Sequence, residues 1–196
     1  MDFKKTKTYE NLAKSYAGEC MTGMKYRFMA EMSKMQGYTD LYNELSLIAQ
    51  NETKHAKVFF DYIVENGDDV IAFSGDFPFF GGTLEQRLFS SILIEKKESE
   101  DVYPAFLKTA QEEGFTEIAK SFEQIISVEK THRKKFENLY DNFKNGTLYK
   151  SRQEKLYVCT QCGYSEYSKE AWHICPLCSA NQGFVKLELP ENANEK

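Results

Sequence analysis

Apolar residues recur along the first three-quarters of the chain in steps of three and four, the period of a helix face that packs into a bundle. One stripe runs Leu12, Tyr16, Glu19, Gly23, Tyr26, Ala30, and a second runs Leu41, Leu45, Ile48, Glu52, His55, Phe59, Tyr62. A third reads Leu84, Leu88, Ser91, Glu95, Glu98, Val102, Ala105, and a fourth Ile118, Phe122, Ile125, Glu129, His132, Phe136, Leu139. Gly37 closes the first predicted helix and Gly67 the second, and a loop from Phe73 to Gly82 separates the two halves. Thr83, with Gln86 three residues on, supplies a capping box for the third helix, and Gly114 divides the third from the fourth. The expected fold is mainly α, a four-helix bundle.

Near residue 150 the pattern changes to Cys, Gly, Pro and short β-leaning runs such as Leu156-Tyr157-Val158. The chain therefore divides into an expected bundle over 1–146, a linker over 147–153 and a small β/loop domain over 154–196. The first and third helix–helix pairs also match in spacing: Glu19 to Glu52 is 33 positions and Glu95 to Glu129 is 34, as though one hairpin had been used twice.

Composition narrows the partners. With 41% hydrophobic and 28% charged residues the chain has the balance of a globular domain. A net charge of −5 disfavours nucleic acid and anionic membrane as partners, since both demand a basic surface. No window approaches the roughly 20 apolar residues of a membrane span, and Met1 to Lys5 shows no apolar leader. Four of the five cysteines form two Cys-x-x-Cys pairs, which in an unexported protein points to metal or redox chemistry; a cytoplasmic location is expected.

The chemistry lies in the stripes. A single glutamate on an apolar seam usually snorkels outward or marks a seam misplaced by one residue. Five glutamates and two histidines in matching registers on four seams need another account, because an unpaired buried carboxylate costs several kcal/mol. The seams contain no lysine or arginine, so either bound cations or wholesale protonation must neutralise them. Glu52-x-x-His55 and Glu129-x-x-His132 each put two ligands on one helix face, and Glu19 and Glu95 come from the other two helices. That is the pattern of di-iron and di-manganese carboxylate bundles, and carboxylate with imidazole suits those metals. Glu98, one turn after Glu95, is surplus to it. Cys159-x-x-Cys162 and Cys175-x-x-Cys178 form two metal knuckles whose spacing fits zinc or iron; beside a redox-capable bundle, iron is the better assignment. His173, close to the second knuckle, is expected at the surface and not as a ligand.

Together these residues resemble rubrerythrin over almost the whole chain. The resemblance rests on Ala17-Gly18-Glu19, Glu52-Thr-Lys-His55-Ala56, Glu95-Lys-Lys-Glu98, Tyr103-Pro104-Ala105-Phe106, Glu113-Gly114-Phe115 and Glu129-Lys-Thr-His132, followed by the two cysteine knuckles. It implies a ferritin-like four-helix bundle followed by a rubredoxin-like domain, with two irons in the bundle and one on the four cysteines. The implied activity is a peroxidase that reduces hydrogen peroxide to water in oxidative-stress defence. Electrons would come from an NAD(P)H-dependent reductase, often through rubredoxin, and the chain would form a homodimer. The resemblance makes Glu52 and Glu129 bridging ligands, Glu19 and Glu95 terminal ones, and His132 a permanent ligand. It makes Glu98 exchange with His55 on the other iron, and sets Tyr26 and Tyr103 around the site as hydrogen-bonding residues. Glu98 is then the candidate proton relay. A ferritin-like ferroxidase and a non-enzymatic protein with a zinc ribbon are the rival readings. Cys20, Ile94 and Ser99 depart from the family pattern, and Cys20 is expected to be a small buried thiol beside the seam.

Overall fold

The computed structural model describes residues 2–67 and 70–194, so the outer bounds of the two expected units, residues 1 and 196, lie outside it. The fold is mainly helical with a small C-terminal sheet: α1 (Lys7–Met35), α2 (Thr39–Asn66), α3 (Leu84–Lys97), a π-helical turn (Glu98–Val102), α4 (Tyr103–Glu112), α5 (Thr116–Lys144), β1 (Lys150–Val158) and β2 (Ser165–Glu170). The α3–π–α4 run forms one rod, so four rods make the bundle. Local chemistry sets their ends. Thr6 caps α1 by accepting from the Tyr9 amide, and Thr83 and Gln86 form the expected capping box on α3. From the far end of the rod, the Glu113 carboxylate accepts from the amides of Lys7 and Thr8 at 3.0 and 2.8 Å. It thereby satisfies α1 donors that have no partner within the helix.

The two helical hairpins are built alike. Gly37 (φ +87°) and Gly114 (φ +83°) each occupy the left-handed position after a helix. Tyr38 then donates back to Ser33, and Phe115 to Ala110, through the same six-residue closure. Glu52 and Glu129 each follow their glycine by 15 positions, whereas Glu19 precedes Gly37 by 18 and Glu95 precedes Gly114 by 19. The extra residue is absorbed in the π turn, where the Tyr103 amide donates five residues back to Glu98. That turn changes the third seam. Val102 is only half-buried and Ala105 is exposed, contrary to the unbroken stripe expected there. Ser99, Tyr103 and Ala110 are buried in their place, since one added residue rotates every later side chain about the rod axis by roughly 100°.

Two further positions differ from expectation. Tyr16 is 38% exposed, because Leu12, Ser15 and Glu19 take the inward face and leave Tyr16 on the margin, its ring 5.7 Å from that of Phe60. Cys20, one turn on along the same margin, is exposed and not the buried thiol expected.

Apolar side chains fill the bundle above and below an acidic level. One cluster holds Tyr26, Met29, Leu41, Leu45, Ile48, Leu88, Phe136 and Leu139; the other holds Leu12, Phe59, Ile63, Tyr103, Phe122 and Ile125. Each such side chain contributes about 1.5–3 kcal/mol by leaving water. The first cluster continues into the C-terminal module through Tyr149, Tyr157, Val185 and Leu187. There β1 pairs antiparallel with β2. The segment read as linker contributes structure of its own: Tyr149 is buried and β1 begins at Lys150. Asp40, at the start of α2, accepts from the Leu187 amide at 2.7 Å, and Gly183 abuts the Gly37 carbonyl so closely that a Cβ there would fall 1.7 Å from it. The module is thus seated against the α1–α2 turn.

Candidate metal centres

Between the two apolar clusters, α1 presents Glu19, α2 presents Glu52 and His55, α3 presents Glu95, and α5 presents Glu129 and His132. All six are buried. Their ligand atoms fall into two sets, Glu19, Glu52, His55, Glu129 and Glu52, Glu95, Glu129, His132, each with one atom per residue within 4.8 Å of the others. Glu52 and Glu129 belong to both. His55 Nδ1 lies 2.9 Å from Glu129 Oε1, 3.5 Å from Glu52 Oε2 and 3.6 Å from Glu19 Oε2. His132 Nδ1 lies 2.9 Å from both Glu52 Oε1 and Glu129 Oε2, and 3.7 Å from Glu95 Oε2. The two halves of the site mirror each other.

The tyrosines complete the symmetry. Tyr26 on α1 donates its hydroxyl to Glu95 Oε1, and Tyr103 on α4 donates to Glu19 Oε1. Tyr26 follows Glu19 by seven positions and Tyr103 follows Glu95 by eight, so the π turn makes them equivalent. Each hydroxyl holds the outer oxygen of a carboxylate contributed by the other hairpin, leaving the inner oxygen directed at the cluster. Glu98 stands outside both sets: it is half-buried, but its Oε2 is enclosed and has no hydrogen-bond partner among the described residues. Lys25, off the seam and half-buried with Nζ 5.3 Å from the Phe79 ring, acts electrostatically on the Glu98 carboxyl.

The electrostatics show what the site asks for. Burial, reinforced by the charges of Glu129 and Glu52, holds the Glu19 carboxyl well above the usual range, and burial with Glu52 and Glu129 does the same to Glu95. Burial and the same two charges also raise Glu98. Burial alone would raise Glu52, yet the His132 charge and hydrogen bonds to both imidazoles drive it well below that range. Burial would likewise depress His132, but the Glu52 charge and the hydrogen bonds to Glu129 and Glu52 bring it up to about 9. Left to itself, then, the cluster favours the neutral form of Glu19, Glu95 and Glu98 and the charged forms of Glu52 and His132. Among the described residues, Glu19 Oε2, both oxygens of Glu52, Glu95 Oε2, Glu129 Oε1 and His55 Nδ1 still lack a hydrogen bond of good geometry. Inward-pointing oxygens with one nitrogen in each set fit two divalent cations, and the donor set fits iron.

Sequence reasoning missed one neighbour. Asn51 Nδ2 lies 3.2 Å from His132 Nε2 on the side away from the carboxylates. For Nδ1 to face a cation, Nε2 must carry the proton, and Asn51 must then offer its carbonyl oxygen. Nothing in the periodicity points to Asn51 beyond its place next to Glu52.

In the C-terminal module all four knuckle sulfurs lie within 4.8 Å of one another. Cys159 and Cys178 are 3.8 Å apart, as are Cys162 and Cys175. Four sulfurs about 2.3 Å from one tetrahedral ion would stand roughly 3.8 Å apart. Gly163 (φ +78°) gives the first knuckle its turn, and His173 is exposed and outside the cluster. The Tyr164 amide lowers the Cys162 thiol, but burial and the three neighbouring sulfurs outweigh it and push the thiol up to about 12. Burial acts to raise Cys175, but the amides of Cys178 and Leu177 outweigh it and bring that thiol down to about 7. The four-cysteine cluster, too, fits an iron ion.

Among known proteins, the sequence model of the rubrerythrin family matches residues 10–140. The chain is 36% identical over 191 residues to rubrerythrin-1 of Clostridium acetobutylicum, covering 96% of this chain and 97% of that one. It is 35% identical to rubrerythrin of Porphyromonas gingivalis over 93% of this chain and 90% of the other. Among solved structures, nigerythrin in a mixed-valence state superposes with a TM-score of 0.62 at 23% identity, over 96% of this chain and 94% of that one; this shows the fold. A bacterioferritin of Desulfovibrio desulfuricans, solved with its di-iron site in different catalytic states, gives a TM-score of 0.66 at 29% identity over 74% of this chain and 84% of its own.

Proposed function

The chain belongs to the rubrerythrin family, and from that premise we propose that it is a cytoplasmic non-haem di-iron peroxidase that reduces hydrogen peroxide to water. The observation that carries the reading is that one chain holds both a pair of four-ligand sets sharing Glu52 and Glu129 and a separate four-sulfur cluster. A ferroxidase accounts for the bundle but leaves the cysteines without a task. In this assignment two irons sit in the bundle. Glu19, Glu52, His55 and Glu129 would hold one and Glu52, Glu95, Glu129 and His132 the other, with Glu52 and Glu129 common to both sets and Glu98 the alternative to His55. A third iron sits on Cys159, Cys162, Cys175 and Cys178. When bound, the bundle pair supplies two electrons to peroxide and the thiolate-held iron relays single electrons from rubredoxin or an NAD(P)H-dependent rubredoxin reductase.

The chain's own residues do the rest. Tyr26 and Tyr103 hold the terminal carboxylates in orientation, which keeps their inner oxygens on the cluster. Glu98, pushed toward its protonated form by burial and the neighbouring carboxylates, has an enclosed oxygen beside the site, which supports giving it the role of protonating the departing oxygen. Asp40, which anchors the module, and Glu52 are twelve residues apart on α2, about 18 Å at 1.5 Å per residue. The family resemblance makes the proposed assembly a homodimer in which one subunit's thiolate iron serves the other's bundle.

The test is a metal count with a visible spectrum, followed by reoxidation of the reduced protein. Iron in both sites, a red colour from the ferric thiolate centre and faster reoxidation by hydrogen peroxide than by dioxygen are expected. A colourless protein with zinc on the cysteines, or faster reaction with dioxygen, would overturn the assignment.

A further inference from the structure

The acidic level adjoins a partly open cavity of about 220 Å³ bounded by α1, the coil over 70–82 and the α3–π–α4 rod. Gly18, Phe77, Pro78, Ile94, Val102 and Phe106 make its hydrocarbon walls. Glu98 and Tyr103 line it toward the metal-ligand candidates, and the exposed Asp76 and Lys97 stand at its outer edge.

This space is larger than hydrogen peroxide needs. Peroxide has two heavy atoms, and a water molecule takes up about 30 Å³ of liquid. A dry cavity of roughly 150 Å³ with aliphatic and aromatic walls already admits benzene. Walls of this kind reward an apolar guest, whose burial is worth about 25 cal/mol per Å². Glu98 and Tyr103 supply polar groups able to orient it at the inner end.

Resting on the peroxidase reading above, we propose that this cavity seats the hydrocarbon part of an organic hydroperoxide, ROOH, with R of phenyl or branched-alkyl size and the hydroperoxyl group turned toward Glu98. The reaction balances as ROOH + 2 e⁻ + 2 H⁺ → ROH + H₂O. The O–O bond breaks, and both oxygens of the hydroperoxyl group are reduced. The electrons come from the ferrous pair, recharged by the external reductase, and the protons come from solvent. The alcohol leaves by the cavity.

Gly18 offers the means of testing it. A Cβ built there meets nothing nearer than Phe77 Cε1 at 3.9 Å, so Gly18→Leu directs its side chain into free space while improving a helix position. Iron-loaded protein is reduced and mixed with cumene hydroperoxide or hydrogen peroxide, and the two reoxidation rate constants are compared. Separately, binding of the product alcohol, 2-phenyl-2-propanol, to the oxidised iron-loaded protein is followed by calorimetry. Wild type is expected to react with both oxidants and to bind the alcohol saturably. Gly18→Leu is expected to lower the cumene-to-hydrogen peroxide ratio at least tenfold and to weaken alcohol binding by a similar factor. Ile94→Phe, which narrows the cavity from α3, serves as a second filling variant should the first fold poorly. Reoxidation by hydrogen peroxide but not by cumene hydroperoxide, or a ratio that neither filling variant changes, overturns the organic substrate and leaves the peroxidase reading standing. Inertness toward both oxidants removes the peroxidase reading, and the substrate assignment with it.

Discussion

Tyr26 and Tyr103 each spend a buried hydroxyl on one carboxylate oxygen, and the expected consequence is measurable at the metal. Removing either hydroxyl, as in Tyr26→Phe or Tyr103→Phe, frees a terminal carboxylate to turn, and partners of this kind are worth about 10–100-fold in metal affinity. Ferrous-ion titration of each variant should show that loss, with the fold unchanged by circular dichroism. His132 yields a prediction with a definite sign. Its pKa in the folded, metal-free protein is raised to about 9, above the ordinary value of 6.5. The stabilisation from its protonated form is complete below pH 6.5 and disappears as pH rises through about 9. Metal-free protein should therefore melt at progressively lower temperature across that window, while metal loading should release protons into a weakly buffered solution. A flat melting curve from pH 6.5 to 9 in the metal-free protein would count against the charge arrangement described for the cluster. Glu98→Gln addresses the proton role: turnover should fall with the iron content intact, and full turnover would remove Glu98 from the reaction.

The repeated hairpin and the π turn are properties of elements. Gly37 and Gly114 occupy equivalent left-handed positions, and a Cβ at either would meet nothing within 4 Å. Gly37→Ala and Gly114→Ala should therefore cost the same, about 1–2 kcal/mol each from the backbone alone, by urea unfolding. Unequal costs would show that the two turns do not carry equal weight. Deleting Asp101, which is exposed, removes the added residue of the π turn. Tyr103 then follows Glu95 by seven positions in an ordinary helix, as Tyr26 follows Glu19, so it should keep facing Glu19 and both ligand sets should retain their metal. A metal count on the deletion variant reads this directly. The helices and the α3 capping box were legible because glycines, Thr83 and Gln86 act locally, whereas the Thr6 cap of α1 emerged only in the structure. The π turn was not, because Glu98 to Val102 contains no local signal that separates an i→i+5 turn from an ordinary helix.

For the whole molecule, the seating of the C-terminal module depends on Asp40, whose carboxylate reaches across 147 positions to the Leu187 amide. Asp40→Ala leaves that buried donor unsatisfied at a cost of about 1–3 kcal/mol. Hydrogen exchange at Leu187 should accelerate by 10-fold or more while the bundle amides keep their protection. Exchange that stays slow would mean that the apolar contacts of Tyr149, Tyr157 and Val185 seat the module without it.

Periodicity and residue type alone determined the number of helical rods, the acids and imidazoles gathered at one level, and the two cysteine knuckles. Each is a matter of spacing along a single strand of chain, and buried charge is too costly to occur in four matched registers by accident. Tertiary structure decided the rest. Only the folded chain could show the π turn that exchanges Val102 and Ala105 for Ser99, Tyr103 and Ala110, the outer margin that holds Tyr16 and Cys20, and Glu98 outside both ligand sets beside a cavity. A one-residue change in helical register turns a side chain through about 100°, and whether it then meets solvent, a neighbour or open space depends on elements far away in the chain.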